Sequence, residues 1–232
     1  MIKEEFHARK EEIENVFSYL EYIEKERSIE GRSETIMKFG DANFNKLQKT
    51  IKASILLMLY NLVESTLTNC LNEIHDAISE STIPYNKLNN SIQTLFLAYH
   101  IESMNQKGGS VRQASIMRDL IFLLKEEENI SITYQELAAV YGLYSGNLDG
   151  KKVQSVLAQY GVKVSLPIQP RILETIKSLR NKLAHGELSF EDVGKEAHLG
   201  QIDDYIRKTI EYMEKVIICV ENFIQKQDYC RS

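Results

Sequence analysis

Apolar residues recur at three- and four-residue intervals along most of this chain, the period of a helix laid against a core. Ile13, Val16, Phe17, Leu20 and Ile23 keep that spacing inside a highly charged stretch. An amphipathic helix is therefore expected over residues 3–29, ended by Gly31. Asp41 or Asn43 can cap the next helix, expected to reach about Glu80. Its centre, Ile55 to Val63, is apolar nearly all round and marks a helix buried among several neighbours.

Pro84 opens a break. A further helix is expected over residues 87–105, with Ile92, Leu95, Phe96, Tyr99 and Met104 inward. Lys107 to Ser110 is a turn, and residues 111–128 read as another helix ending in three consecutive glutamates. Residues 129–166 differ: short pieces, four glycines, a modest helix near Lys151–Tyr160 and a short strand at Val162–Leu166. They read as a small subdomain inserted in a single domain spanning residues 1–232. Pro167 and Pro170 open a helix to about Ala184, since proline is tolerated in a first turn. A loop follows. The last helix is expected over Ile202–Gln227, with Ile206, Ile210, Met213, Val216, Ile217, Val220 and Ile224 as its stripe. The pattern is that of an all-α protein.

Composition narrows the picture. The 232 residues, 43% of them hydrophobic, suffice for one sizeable core. No apolar run approaches membrane-spanning length, and the N-terminus opens a charged helix instead of a signal peptide. Three widely spaced cysteines make no disulfide framework, so a reducing cytoplasm is expected, with Cys70 and Cys219 as small core residues. The net charge of −5 argues against broad, non-specific nucleic-acid binding. The charge is uneven: residues 1–150 hold 15 Lys+Arg against 22 Asp+Glu, and residues 151–232 hold 13 against 11. The basic back leaves room for a local polyanion site.

The chemistry concentrates in Leu179-Arg180-Asn181-Lys182-Leu183-Ala184-His185-Gly186. Asn181 and His185 are four apart and share a helix face, so the amide can orient the imidazole. Arg180 precedes His185 by five residues, which turns it roughly 140° away on an ideal helix. One copy thus converges poorly on a single phosphate. Two copies facing each other would place each arginine near the other's histidine. Gly186 suits a left-handed C-terminal cap, which leaves His185 at the helix end whose dipole favours imidazolium. Arginine binds phosphate through two donors at once, and histidine can give or take a proton near neutrality. The same residues also fit a plain capping role, with cations compensating the dipole.

The stretch Leu179–Gly186 closely resembles the active-site motif of HEPN-domain proteins, where Arg, a polar residue and His end the penultimate core helix. The continuation Glu187-Leu188-Ser189-Phe190 and Val193-Gly194 is similar to stand-alone prokaryotic HEPN nucleases of the toxin type. Leu57-Met58-Leu59-Tyr60-Asn61-Leu62-Val63-Glu64 resembles their early core helix. The resemblance implies an antiparallel helical bundle, a homodimer and a metal-independent endoribonuclease without cofactor, often paired with an antitoxin protein. It implies Arg180 for phosphate and transition-state charge, Asn181 for orientation and His185 for proton transfer. Glu64 would either hydrogen-bond Arg180 or the motif helix, or satisfy a buried polar network. The alternative is a non-catalytic HEPN-like module that binds RNA or a nucleotide.

Other constellations carry less. His7, His75, His100 and His198 show no ligand spacing, so no metal site is expected. The run Ser145 to Lys152 can cradle a phosphate at a helix start or simply cap that helix. Lys151, Lys152 and Lys182 are candidate RNA backbone contacts. The helix at 3–29 has an acidic polar face, unlike a membrane-surface helix.

Overall fold

The computed structural model describes residues 2–27, 40–106, 109–125, 132–144, 146–164 and 170–231. Among them the fold is all-α. The elements are α1 (Ile2–Arg27), α2 (Asp41–Glu80), a single 3-10 turn (Tyr85–Lys87), α3 (Asn90–Gln106), α4 (Ser110–Leu124), α5 (Tyr134–Val140), α6 (Gly150–Ala158), α7 (Pro170–Ala184), α8 (Phe190–Glu196) and α9 (Leu199–Gln225). Residues 162–164, expected to begin a strand, have no regular structure. The helix end at Gly31, the turn at Lys107 and Gly108, the glutamates 126–128, Ser145, and Ser165 to Pro167 lie outside the described residues.

The chain divides into two compact units. The first comprises residues 1–66 and 168–214, the second residues 67–167 and 215–232. In the first, α1 buries Phe6, Ile13, Phe17, Leu20 and Ile23, the face that its periodicity specifies. Ion pairs tie α1 to other helices of this unit, among them Lys52 to Glu24 at 3.4 Å and Lys10 to Glu214 at 3.2 Å. The apolar centre of α2 is buried, with Ile55, Leu56, Leu59, Tyr60, Leu62 and Val63 all almost inaccessible. Between α7 and α9 the expected loop contains the short helix α8. Ser189 starts it with a capping box: its hydroxyl accepts from the Asp192 N–H at 3.1 Å, and the Asp192 carboxylate accepts from the Ser189 N–H at 3.0 Å. The Ser189 hydroxyl, donating to the Asp192 carboxylate at 2.6 Å, and then the Ser189 N–H hold that carboxyl below its ordinary range. Gly194 of α8 lies against the Lys49 carbonyl of α2, where a Cβ has no room.

In the second unit, α3 packs on α4 and α5, and α4 also meets the 3-10 turn. The segment read as an insertion is fastened to one polar stripe of α2, Thr68, Asn72 and His75, spaced four and three residues apart. Thr68 shares a hydrogen bond with the Tyr144 hydroxyl at 2.7 Å. The Asn72 amide oxygen accepts from Gln135 at 3.0 Å. His75 is 3% exposed and bridges the Ile132 carbonyl through Nδ1 at 2.6 Å and the Tyr160 hydroxyl through Nε2 at 3.0 Å. The carbonyl can only accept, so Nδ1 carries the proton and Nε2 accepts from Tyr160. Burial pushes the Tyr160 phenol up and His75 down. A second capping box, Thr133 with Glu136, starts α5, a helix that the glycine-rich sequence did not announce. Cys70 is buried as expected, its thiol pushed up to about 12 by burial. Cys219 is only half-buried, and all three cysteines are free thiols.

Candidate functional site

The motif occupies the last turn of α7. Leu173 and Ile176 are buried and anchor that helix in the first unit. Its C-terminus closes as a complete Schellman motif. The Gly186 N–H donates to the Leu183 carbonyl at 3.2 Å, and the Glu187 N–H donates to the Lys182 carbonyl at 2.9 Å. Gly186 has φ +70°, and a Cβ there would meet nothing within 4 Å. Conformation, not space, calls for glycine. His185 is the residue where the helix ends, its N–H still bonded to the Asn181 carbonyl at 2.9 Å.

Arg180 and His185 are in contrasting states. Arg180 is half-buried. Its Cζ lies 4.6 Å from the centroid of the Tyr60 ring, and its Nη1 donates to the Asn181 amide oxygen at 3.0 Å. Ring and amide hold the guanidinium in one place and leave most of its five donors for a ligand. His185 is exposed, and its ring makes no hydrogen bond with a described residue. Within one chain, Asn181 therefore holds the arginine rather than the histidine. The adjacent guanidinium engages the amide oxygen, while His185 has already left the helix.

Tyr60 is the residue that motif reasoning missed. It read as core, and at 1% exposure it is core, but its ring face also carries Arg180. Glu64, one turn further along α2, is half-buried and forms no hydrogen bond or ion pair with a described residue, Arg180 included. Lys182 is exposed on the last turn of α7. Lys151 and Lys152 belong to the second unit, in the first turn of α6. There the Asp149 carboxylate caps the helix by accepting from the Lys152 N–H at 2.9 Å. The run from Ser145 thus supplies a capped helix start. A cavity of about 400 Å³ lies beside the motif, lined by Leu56, Leu179, Leu188, Val193, Gln201 and Tyr205. Among the described residues no group of three or more His, Cys, Asp or Glu is placed to hold a metal ion. No helix among them is long and apolar enough to cross a membrane.

An all-α fold with Arg-Asn-x-x-x-His on the last turn of the penultimate long helix defines a HEPN-type domain. The model of the HEPN_MAE_28990-like HEPN family matches residues 1–229, and the chain belongs to that family. Neither a curated protein nor a solved structure matches it.

Proposed function

We propose that the protein is a metal-independent endoribonuclease acting at a composite site of a homodimer. The RNA 2′-hydroxyl oxygen attacks its own phosphorus while a base removes the hydroxyl proton. The bond from phosphorus to the 5′-oxygen breaks, and an acid protonates that oxygen. The products are a 2′,3′-cyclic phosphate and a 5′-hydroxyl. His185 serves as base or acid, and Arg180 neutralises the charge that builds on the phosphorane. Asn181 orients Arg180. Gly186 closes the helix that carries these groups, Glu64 stands one turn from Tyr60 on the helix that seats Arg180, and Lys182, Lys151 and Lys152 are candidate contacts to the RNA backbone.

The observation that carries this reading is the pairing, at one helix end, of a fixed cation with an exposed imidazole that no described residue holds. A ring that no described residue orients is suited to meet groups from a second copy, which also answers the angular separation of Arg180 and His185. Unrestrained RNA cleavage would harm the cell that makes the enzyme. A toxin or anti-phage role, with an antitoxin protein as restraint, follows as part of the same proposal.

The test is incubation of wild type and His185→Ala with total RNA and a labelled tRNA pool in EDTA, with product ends mapped. Cleavage by wild type alone, leaving cyclic phosphate ends, is expected. Binding of RNA without any product would make the protein a binding module instead.

A further inference from the structure

The second unit carries an open groove of about 870 Å³ that the motif does not use. Its architecture centres on Asn89. The Asn89 side chain caps α3 by accepting from the Ile92 N–H at 2.9 Å. Its amide donates to the Tyr160 carbonyl at 3.2 Å and to the Asp228 carbonyl at 2.9 Å. The Asn89 N–H donates to the Tyr229 carbonyl at 2.8 Å, and the Arg231 N–H to the Lys87 carbonyl at 2.6 Å. Gly161, at φ +87°, lets the end of α6 approach, since a Cβ there would stand 3.1 Å from the Asn89 amide nitrogen. One side chain thereby locks the start of α3, the end of α6 and the C-terminal tail around the groove.

Three cations line it: Lys163 from the stretch after α6, and Lys226 and Arg231 from the segment that follows α9. All are exposed, and none forms an ion pair or side-chain hydrogen bond with a described residue. Among the described lining residues Asp228 is the single carboxylate, which leaves them a surplus of two positive charges in a chain whose net charge is −5. The Asn90, Ser91 and Asn222 side chains add neutral polar groups, and Phe223 and Val162 form an apolar floor. Cations from two segments of the chain, together with side-chain amides and an apolar floor, suit a strand with a charged backbone and flat bases.

We propose that this groove binds the phosphate backbone of a single-stranded RNA segment, as a second RNA contact separate from the Arg180–His185 motif. It rests on the reading of the protein as an RNA enzyme and deepens it. The groove gives an acidic protein a local basic site for its substrate.

The test uses the full-length His185→Ala protein, so that the probe survives, and a labelled twelve-nucleotide RNA in fluorescence anisotropy. The variant is Lys163→Gln, Lys226→Gln and Arg231→Gln together, all at exposed positions. Expected is an affinity loss of tenfold or more, with the log–log salt dependence flatter by about 2, three phosphate contacts at roughly 0.7 each. Inorganic phosphate at equal phosphorus concentration should leave the RNA bound, and displacement would identify a free-anion site and overturn the proposal. Unchanged affinity and salt slope in the triple variant would also overturn it. A wild-type protein that cleaves RNA while the parent fails to bind the probe would remove the groove and leave the enzyme standing. Neither binding nor cleavage would remove both.

Discussion

The Arg180 guanidinium lies over the Tyr60 ring, its Cζ 4.6 Å from the centroid, and donates to Asn181 at 3.0 Å. A planar cation is what this arrangement selects, because it can stack on a ring face and direct donors from its edge at once. Arg180→Ala should lower kcat by about 10²–10³, the loss that follows removal of a preorganised transition-state donor. Arg180→Lys keeps the charge and loses the fork and the stacking, so at least a tenfold fall is expected. Single-turnover cleavage with thermal melts checks this. Lysine activity equal to wild type would show that charge alone suffices.

Two glycines after the motif separate two reasons for lacking a side chain. Gly186 has open space and a left-handed backbone, so Gly186→Ala carries only conformational strain, about 1–2 kcal/mol. Gly186→Asn should recover part of it. Gly194 sits in a regular helix against the Lys49 carbonyl, so Gly194→Ala must push α8 off α2. Overpacking of that kind costs about 1–3 kcal/mol or more. Both should appear in urea denaturation, with Asn rescuing position 186 and not position 194.

How much of this was legible beforehand follows from range. The C-terminal cap at Gly186 was readable because its bonds run within six residues, from Lys182 to Glu187. The faces of α1 and α9 were readable because helical periodicity is local, and Phe17, Leu20, Met213 and Val216 are buried as the pattern requires. Helices α5 and α8 were missed although their signals were present: Thr133 with Glu136, and Ser189 with Asp192, each stand three residues apart. Glycines and short length outweighed them. The seat of Arg180 on Tyr60 joins positions 120 residues apart, and nothing in either local pattern reports it. The stripe Thr68, Asn72 and His75 was equally silent, since a polar residue on a helix otherwise reads as exposed.

His75 makes stability depend on pH in a fixed direction. Burial lowers its pKa below the ordinary 6.5, against the opposing pull of the Ile132 carbonyl, Asp76 and Glu136. His100 is lowered as well, again chiefly by burial. The folded state holds both rings neutral while the unfolded chain takes protons near pH 6.5. Their contribution is therefore complete above that pH and is lost as pH falls below it, until the folded rings also protonate. The urea midpoint should drop between pH 7.5 and pH 5. His75→Gln, which cannot titrate, should flatten that decline while leaving the share due to His100. An identical slope in the variant would assign the pH dependence elsewhere.

The composite site makes a prediction that no single-chain site shares. Arg180→Ala and His185→Ala should each be nearly inactive. His185 is exposed, so its removal should alter stability by no more than about 1 kcal/mol, the scale of a helix-dipole interaction. If each site takes Arg180 from one chain and His185 from the other, a mixed dimer of the two variants holds one intact site and one doubly broken site. Random re-pairing of equal amounts makes half of the dimers mixed, so about a quarter of wild-type activity should return. If both groups act from the same chain, every site in the mixture lacks one of them and nothing returns. Unfolding and refolding the variants together, then separately, and comparing the cleavage rates decides between the two arrangements.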